Sequence, residues 1–198
     1  IKGVHSTTRK QCGDFVDWAI EKLKNIPEDI PVIIVNRHAQ YAFGRNNNIN
    51  ETNIPQVYFS APYKTSQPEY LEEYAKNLIS TSCEIAKKHV VYLVRPIPEM
   101  DVNVPTYMAR TTLLKKHNEI YISLDSYNKR QDFIWKAQNA AREQCGVKIL
   151  NPLPYLCSDQ RCFGEKNNRP LYRDSDHLSE YGNKFLVPMF SEVFQHTK

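Results

Sequence analysis

Between residues 12 and 24 the apolar side chains Phe15, Val16, Ala19, Ile20 and Leu23 return at steps of three and four. That spacing is one face of an amphipathic helix, which Pro27 ends. Pro31 then opens Val32-Ile33-Ile34-Val35, a short β-branched run that predicts a strand buried on both faces, with Asn36, Arg37 and His38 at its carboxyl end. Residues 45–55 are rich in Asn and read as an exposed loop or the tip of a hairpin whose return arm is 56–60. A second helix is predicted over 68–88, with Leu71, Tyr74, Ala75, Leu78, Ile79, Cys83 and Ala86 inward, and a second buried strand follows over 89–94. Pro98 and Pro105 punctuate a connection to a short helix through Met108 and Leu114. Asp125 or Ser126 is placed to cap a helix over 129–144, a third strand takes 147–150, and one helix over 180–194 with Ser179 as N-cap closes the chain.

Helices alternating with buried strands predict an α/β fold, a three-layer α/β/α sandwich around a parallel sheet, and the length favours a single domain over 1–198. Ligands of open parallel sheets gather at the carboxyl ends of the strands. That rim holds Asn36, Arg37, Arg95-Pro96 and the loop after Leu150.

Composition narrows the function. Hydrophobic residues make up 41% and charged residues 24%, an ordinary globular balance, and no apolar run approaches the roughly 20 residues a membrane-spanning helix needs. The net charge of +4 is spread without a basic run, so nucleic acid is not an expected partner. No Gly-rich loop follows a predicted strand, which argues against a nucleotide-binding fold. The opening residues Ile1-Lys2-Gly3-Val4-His5 carry neither an initiator methionine nor a leader pattern, and are expected to begin inside a longer chain. There are five cysteines. Cys157 and Cys162 are placed for a local disulfide, with a reduced pair or two metal thiolates as the competing readings. With an odd number, one thiol is free or bonded outside these residues, and Cys12 is the candidate.

The chemistry concentrates in Pro170-Leu-Tyr-Arg-Asp174-Ser-Asp176-His177-Leu-Ser-Glu-Tyr-Gly182, a polar loop directly before a helix. A carboxylate three residues before a histidine can accept a hydrogen bond from Nδ1–H, fixing the tautomer and leaving Nε2 as a general base toward a serine hydroxyl. Asp176, adjacent to the ring in sequence, is less well placed. The same spacing also arises from helix capping alone. His38, His89, His117 and His196 have no partner at telling spacing and read as ordinary core or surface histidines.

This segment, together with Cys157 and Cys162, Val32-Ile-Ile-Val-Asn-Arg37 and Val91-Tyr-Leu-Val-Arg-Pro-Ile-Pro98, resembles the SGNH hydrolases. It is more similar still to the SGNH domains fused to membrane acyltransferases that O-acetylate bacterial surface polysaccharides. The resemblance implies Asp174 as orienting acid and His177 as base of a Ser-His-Asp triad, with Arg37 and Asn36 as candidate oxyanion or substrate contacts. It further implies a periplasmic domain tethered through its parent polypeptide, the membrane acyltransferase domain as acetyl donor, a polysaccharide acceptor, and no cofactor or metal. One element of the family pattern is not found: the nucleophile's Gly-Asp-Ser occurs nowhere in the sequence. Gly13-Asp14-Phe15 is the nearest string, and it opens a helix instead of following a strand. The Gly-Asp-Ser block and the first strand are therefore expected upstream of Ile1. The alternatives are an esterase of the same fold and a glycan-binding module without catalysis.

Overall fold

The computed structural model describes residues 1–6, 12–44, 54–116 and 119–194. The Asn-rich stretch, His117, His196 and the side chain of Cys12 lie outside the described residues. In chain order the elements are β1 (His5–Ser6), α1 (Cys12–Leu23), β2 (Val32–Ile34), α2 (His38–Phe43), β3 (Val57–Tyr58), α3 (Pro68–Ala86), β4 (Val91–Val94), α4 (Val104–Leu113) and β5 (Tyr121–Ser123). There follow α5 (Leu124–Cys145), β6 (Lys148–Leu150), α6 (Leu153–Leu156), β7 (Cys157–Ser158), β8 (Arg161–Phe163), β9 (Glu165–Lys166), β10 (Arg169–Pro170), α7 (Glu180–Lys184) and α8 (Val187–Phe194). They fall into two compact units, one of Ile1–Arg95 with Gln131–Leu150, the other of Pro96–Arg130 with 151–194.

The first unit contains the parallel sheet, in the order β2-β4-β6. All four residues of β4 are buried, as a central strand's continuous apolar run requires. The apolar stripes of three helices meet one face of this sheet: Ile20 of α1, Ile85 of α3 and Ala141 of α5 cluster with Val91, Leu93 and Val147. The α/β class and the parallel sheet are as expected. A second cluster is aromatic, with Tyr70 and Tyr74 of α3 packed against Ala42, Ile134 and Val57. Cys83 and Cys145 form a disulfide between α3 and α5, a pairing the spacing did not suggest. The segment after the Asn-rich stretch forms its strand pair elsewhere in the sequence: Val57 and Tyr58 pair antiparallel with Ser6 and His5. Gly13 and Asp14 lie in the first turn of α1, where a Cβ on Gly13 would stand 2.5 Å from the Val4 carbonyl oxygen.

In the second unit the strands are short and antiparallel. β5, β8 and β7 form one sheet and β9–β10 a separate hairpin. Neither was visible in the hydrophobic pattern, because two or three residues are too few to show a period. Both tight turns place two residues at positive φ, Asp159 and Gln160 in one and Asn167 and Asn168 in the other. The first turn closes the disulfide Cys157–Cys162. Two boundaries differ from expectation. α5 begins five residues early, because Ser123 Oγ accepts from the Ser126 N–H at 3.0 Å and supplies the cap itself. The closing helix is broken into α7 and α8, since Pro188 lacks the N–H an uninterrupted helix would need there.

Candidate active site

The Asp174–His177 loop is held by main-chain bonds on every side. At its base Tyr172 and Leu178 form an antiparallel bridge, the Arg173 N–H donates to the His177 carbonyl at 2.9 Å, and the Ser179 N–H donates to the Leu171 carbonyl at 2.8 Å. At its tip the N–H of Met100 donates to the Ser175 carbonyl (2.7 Å) and that of Val104 to the Asp174 carbonyl (3.1 Å). The buried Tyr172 hydroxyl donates to the Pro98 carbonyl at 2.8 Å. Ser179 caps α7, accepting the Gly182 N–H at 3.0 Å. Gly182 packs so closely under the chain that a Cβ would lie 2.1 Å from the Leu171 oxygen, so only glycine fits.

Within this frame Asp174 and His177 come together. His177 Nδ1 lies 2.8 Å from Asp174 Oδ2, while Asp174 Oδ1 accepts the main-chain N–H groups of Asp176 (2.9 Å) and His177 (2.7 Å). Burial alone pushes the Asp174 carboxyl up, but the two N–H groups and the histidine together outweigh it and hold the carboxyl below its ordinary value. The carboxylate thus stays charged, which favours Nδ1 as the protonated ring nitrogen. Nε2 has no partner among the described residues, and the side chain is 55% exposed, so it is open to a reactant. Asp176 is also close, its Oδ2 3.4 Å from the ring and its Oδ1 accepting from Ser175 Oγ at 2.7 Å. The main-chain donors onto Asp174 were not anticipated, although Asp174-Ser-Asp is a sequence that favours such a turn. Asp174, Asp176 and His177 each offer a ligand atom within 4.8 Å of the others, the local set from which a metal site would draw.

Asn36 and Arg37 belong to the first unit, where they follow β2 at its carboxyl end. Arg37 occupies the N-cap position of α2 and donates to Gln40 Oε1 at 2.6 Å. Two of the other histidines are structural: His38 is buried with Nδ1 2.9 Å from the Tyr74 hydroxyl, and His89 sets its ring nitrogens against the carbonyls of Ile30 and Leu23. Arg95, at the end of β4, is buried against the Trp135 ring and donates to Trp135 O, Gln138 Oε1 and Asn139 Oδ1. The second unit also carries an open cleft of about 430 Å³, lined among others by Tyr155, Phe163, Glu165, Asn167 and Leu171. Among the described residues no helix is long and apolar enough to cross a membrane.

A family model described as an SGNH domain, fused to AT3 domains, matches residues 1–192 and so spans both units. No curated protein sequence matches the chain. Among solved structures, the periplasmic domain of the lipopolysaccharide acetyltransferase of Salmonella ser. Paratyphi A is similar, with 15% identity and a TM-score of 0.60 over 98% of this chain and 68% of that one. At that identity the likeness is one of fold.

Proposed function

Because the chain belongs to the SGNH domains of the kind fused to AT3 domains, we propose that it is the acyl-transferring part of a carbohydrate O-acetyltransferase, with Asp174 and His177 as two members of a Ser-His-Asp relay. The observation that carries this is the 2.8 Å contact between His177 Nδ1 and a charged Asp174, with Nε2 left open. The serine of that relay is proposed to stand in a Gly-Asp-Ser block, which these 198 residues do not contain.

In the first half-reaction Nε2 of His177 takes the proton of the serine hydroxyl as its oxygen bonds to the acyl carbonyl carbon. Asp174 stabilises the imidazolium that results. As the tetrahedral intermediate collapses, the donor's oxygen leaves with the proton from Nε2, and an acyl-serine remains. In the second half Nε2 deprotonates a sugar hydroxyl as its oxygen bonds to the acyl carbon, and the serine oxygen leaves with that proton from Nε2, so the acetyl group goes to the sugar and the serine hydroxyl is restored. With water in place of the sugar the product is free acetate, so an esterase differs only in its acceptor. The family's fusion to AT3 domains supports a membrane acyltransferase as donor and an extracytoplasmic site. A polysaccharide acceptor is consistent with the cleft beside Leu171, whose rings and amide and carboxylate groups suit a pyranose. Asn36 and Arg37 are proposed as oxyanion or substrate contacts on the family resemblance alone.

The test is hydrolysis of a small acetyl ester, and acetyl transfer to polysaccharide, by the parent polypeptide and its His177→Ala variant. Both rates should fall by about 10²–10⁴-fold, the usual share of general base catalysis, with the thermal midpoint unchanged. Equal rates in the two proteins would overturn the relay. If the wild type itself lacks both activities while binding glycan, the domain is a binding module, a reading that the missing Gly-Asp-Ser favours.

A further inference from the structure

α4 is a ten-residue helix that is buried at one end only. Val104, at its start, is its one buried residue, and the Val104 N–H donates to the Asp174 carbonyl at 3.1 Å, which ties that end to the candidate site. At the other end the chain closes on itself. The Lys115 N–H donates to the Thr112 carbonyl at 3.0 Å and the Lys116 N–H to the Thr111 carbonyl at 2.9 Å. In this paired closure Lys115 takes φ 51°, a conformation usually left to glycine. Leu113 and Leu114 are thus held in place by the helix end itself and not by a core.

That end is apolar and faces outward. Leu113 is 82% exposed, the most of any large apolar side chain among the described residues, and Leu114 is 66% exposed. A single exposed leucine is ordinary, but two in succession at a fixed helix end form a patch that calls for a partner. Positive charge predominates around them. Arg110, one turn earlier, and Lys115 and Lys116, directly after, are exposed, and among the described residues none of their side chains has an ionic partner. Glu165 lines a cleft together with the two lysines and pairs with neither. The helix dipole favours cations at this end, but it gives no reason for the leucines.

We infer that this tip docks on a phospholipid bilayer with anionic headgroups, Leu113 and Leu114 entering the acyl boundary while Arg110, Lys115 and Lys116 meet the phosphates. An apolar pair flanked by cations is the complement of such a surface, which sets hydrocarbon behind a layer of negative charge. Lysine stems are long enough to keep their charge among the headgroups while the leucines sit deeper. A protein partner would need carboxylates placed around an apolar socket; an anionic bilayer presents that arrangement everywhere. At a rise of about 1.5 Å per residue α4 is about 15 Å long, so a docked tip holds the Asp174–His177 loop within about that distance of the membrane surface. A loop so placed is in reach of a donor group carried by a membrane domain. The inference rests on the reading of the parent polypeptide as a membrane acyltransferase, and not on the relay.

Photo-crosslinking tests it, in the parent polypeptide reconstituted into vesicles of phosphatidylcholine mixed with phosphatidylglycerol. The Leu114→p-benzoylphenylalanine variant is irradiated and its adducts are identified by mass spectrometry, with acetyl ester hydrolysis measured on the same vesicles. We expect adducts to lipid. Their yield should fall at least about 5-fold on phosphatidylcholine alone, and as far when Lys115→Gln and Lys116→Gln are added, since each lysine near an anionic surface changes occupancy several-fold. Neither lysine bonds to the Asp174–His177 loop, so ester hydrolysis and the thermal midpoint should be unchanged. Adducts to protein, whether to another part of the parent polypeptide or to a second copy, overturn the inference, and so does a lipid yield indifferent to headgroup charge. Retention in the vesicles without lipid adducts overturns it and leaves the acyl-transfer reading standing, whereas a polypeptide that the vesicles do not retain overturns both. Lipid adducts without ester hydrolysis uphold the docking and count against the relay alone.

Discussion

The two units hold their shape by different means. In the first, helices of 12, 19 and 22 residues press apolar stripes onto a three-stranded parallel sheet, so its rigidity comes from packing. In the second, strands of two or three residues are fixed by paired main-chain groups and tight turns, and the Asp174–His177 loop is tied at both base and tip by N–H to carbonyl bonds. The side chains proposed to act as a relay must be held closely while one end stays open to solvent. A loop pinned by its own backbone meets both demands, where a packed core would bury the ring.

Among the described residues each unit has one disulfide, and these separate the two modes most sharply. Cys83–Cys145 closes 62 residues and Cys157–Cys162 closes 5. If a cross-link acts by restricting the unfolded chain, the longer loop contributes about 4 kcal/mol and the shorter about 2 kcal/mol. Replacing both Cys83 and Cys145 by Ser should therefore lower the unfolding free energy about twice as far as the same change at Cys157 and Cys162, measured by urea titration. Equal losses would show that the hairpin cross-link acts on the folded state, holding β7 to β8, and not through chain entropy.

Acid offers the next contrast. Burial holds the His38 ring down at about 3, so it stays neutral in the folded first unit. An unfolded histidine takes up a proton below about pH 6.5, so from there toward pH 3 the unfolded state gains protons that the folded one refuses, a loss of up to about 1.4 kcal/mol per pH unit. Asp174 works in a lower window. Its folded carboxyl is depressed, so its contribution is complete above the ordinary aspartate value of about 3.9 and is lost only as the pH falls below that. Urea titrations between pH 7 and 4.5 should show a decline in the wild type that His38→Gln flattens and Asp174→Asn leaves in place. A decline that survives in His38→Gln would mean that another group governs the acid response.

The difference between the units also decides what could be read from the sequence. α1 and α3 were legible because each spans enough residues for its period to show, and β4 because its unbroken apolar run fits only a strand buried throughout. β7 to β10 were not, since Cys157-Ser158 or Glu165-Lys166 has no period, and their pairing depends on positive φ at Gln160 and Asn168. Asp174 and His177 could be singled out because three residues is the reach of a carboxylate to a ring across one turn. The second hold on Asp174, two main-chain N–H groups, depends on the turn itself. Cys83 and Cys145 lie on the core-facing sides of two helices, so their pairing is fixed by how α3 and α5 pack, a tertiary fact with no local signature.

The smallest effect falls inside the second unit, at Ser179. Its Oγ accepts the Gly182 N–H, capping α7, and donates to the Pro170 carbonyl at 2.9 Å, tying the helix start to the β9–β10 hairpin. Ser179→Ala removes both bonds and should cost about 1 kcal/mol, the common cost of losing an N-cap. Ser179→Asp keeps an acceptor for Gly182 but has no proton for Pro170. Thermal unfolding together with ester hydrolysis separates the two bonds. If capping is what matters, the Asp variant recovers the lost stability and the activity with it. If the hairpin tie is what sets the loop, stability returns while the rate stays low, because His177, two residues before the cap, is positioned from both sides.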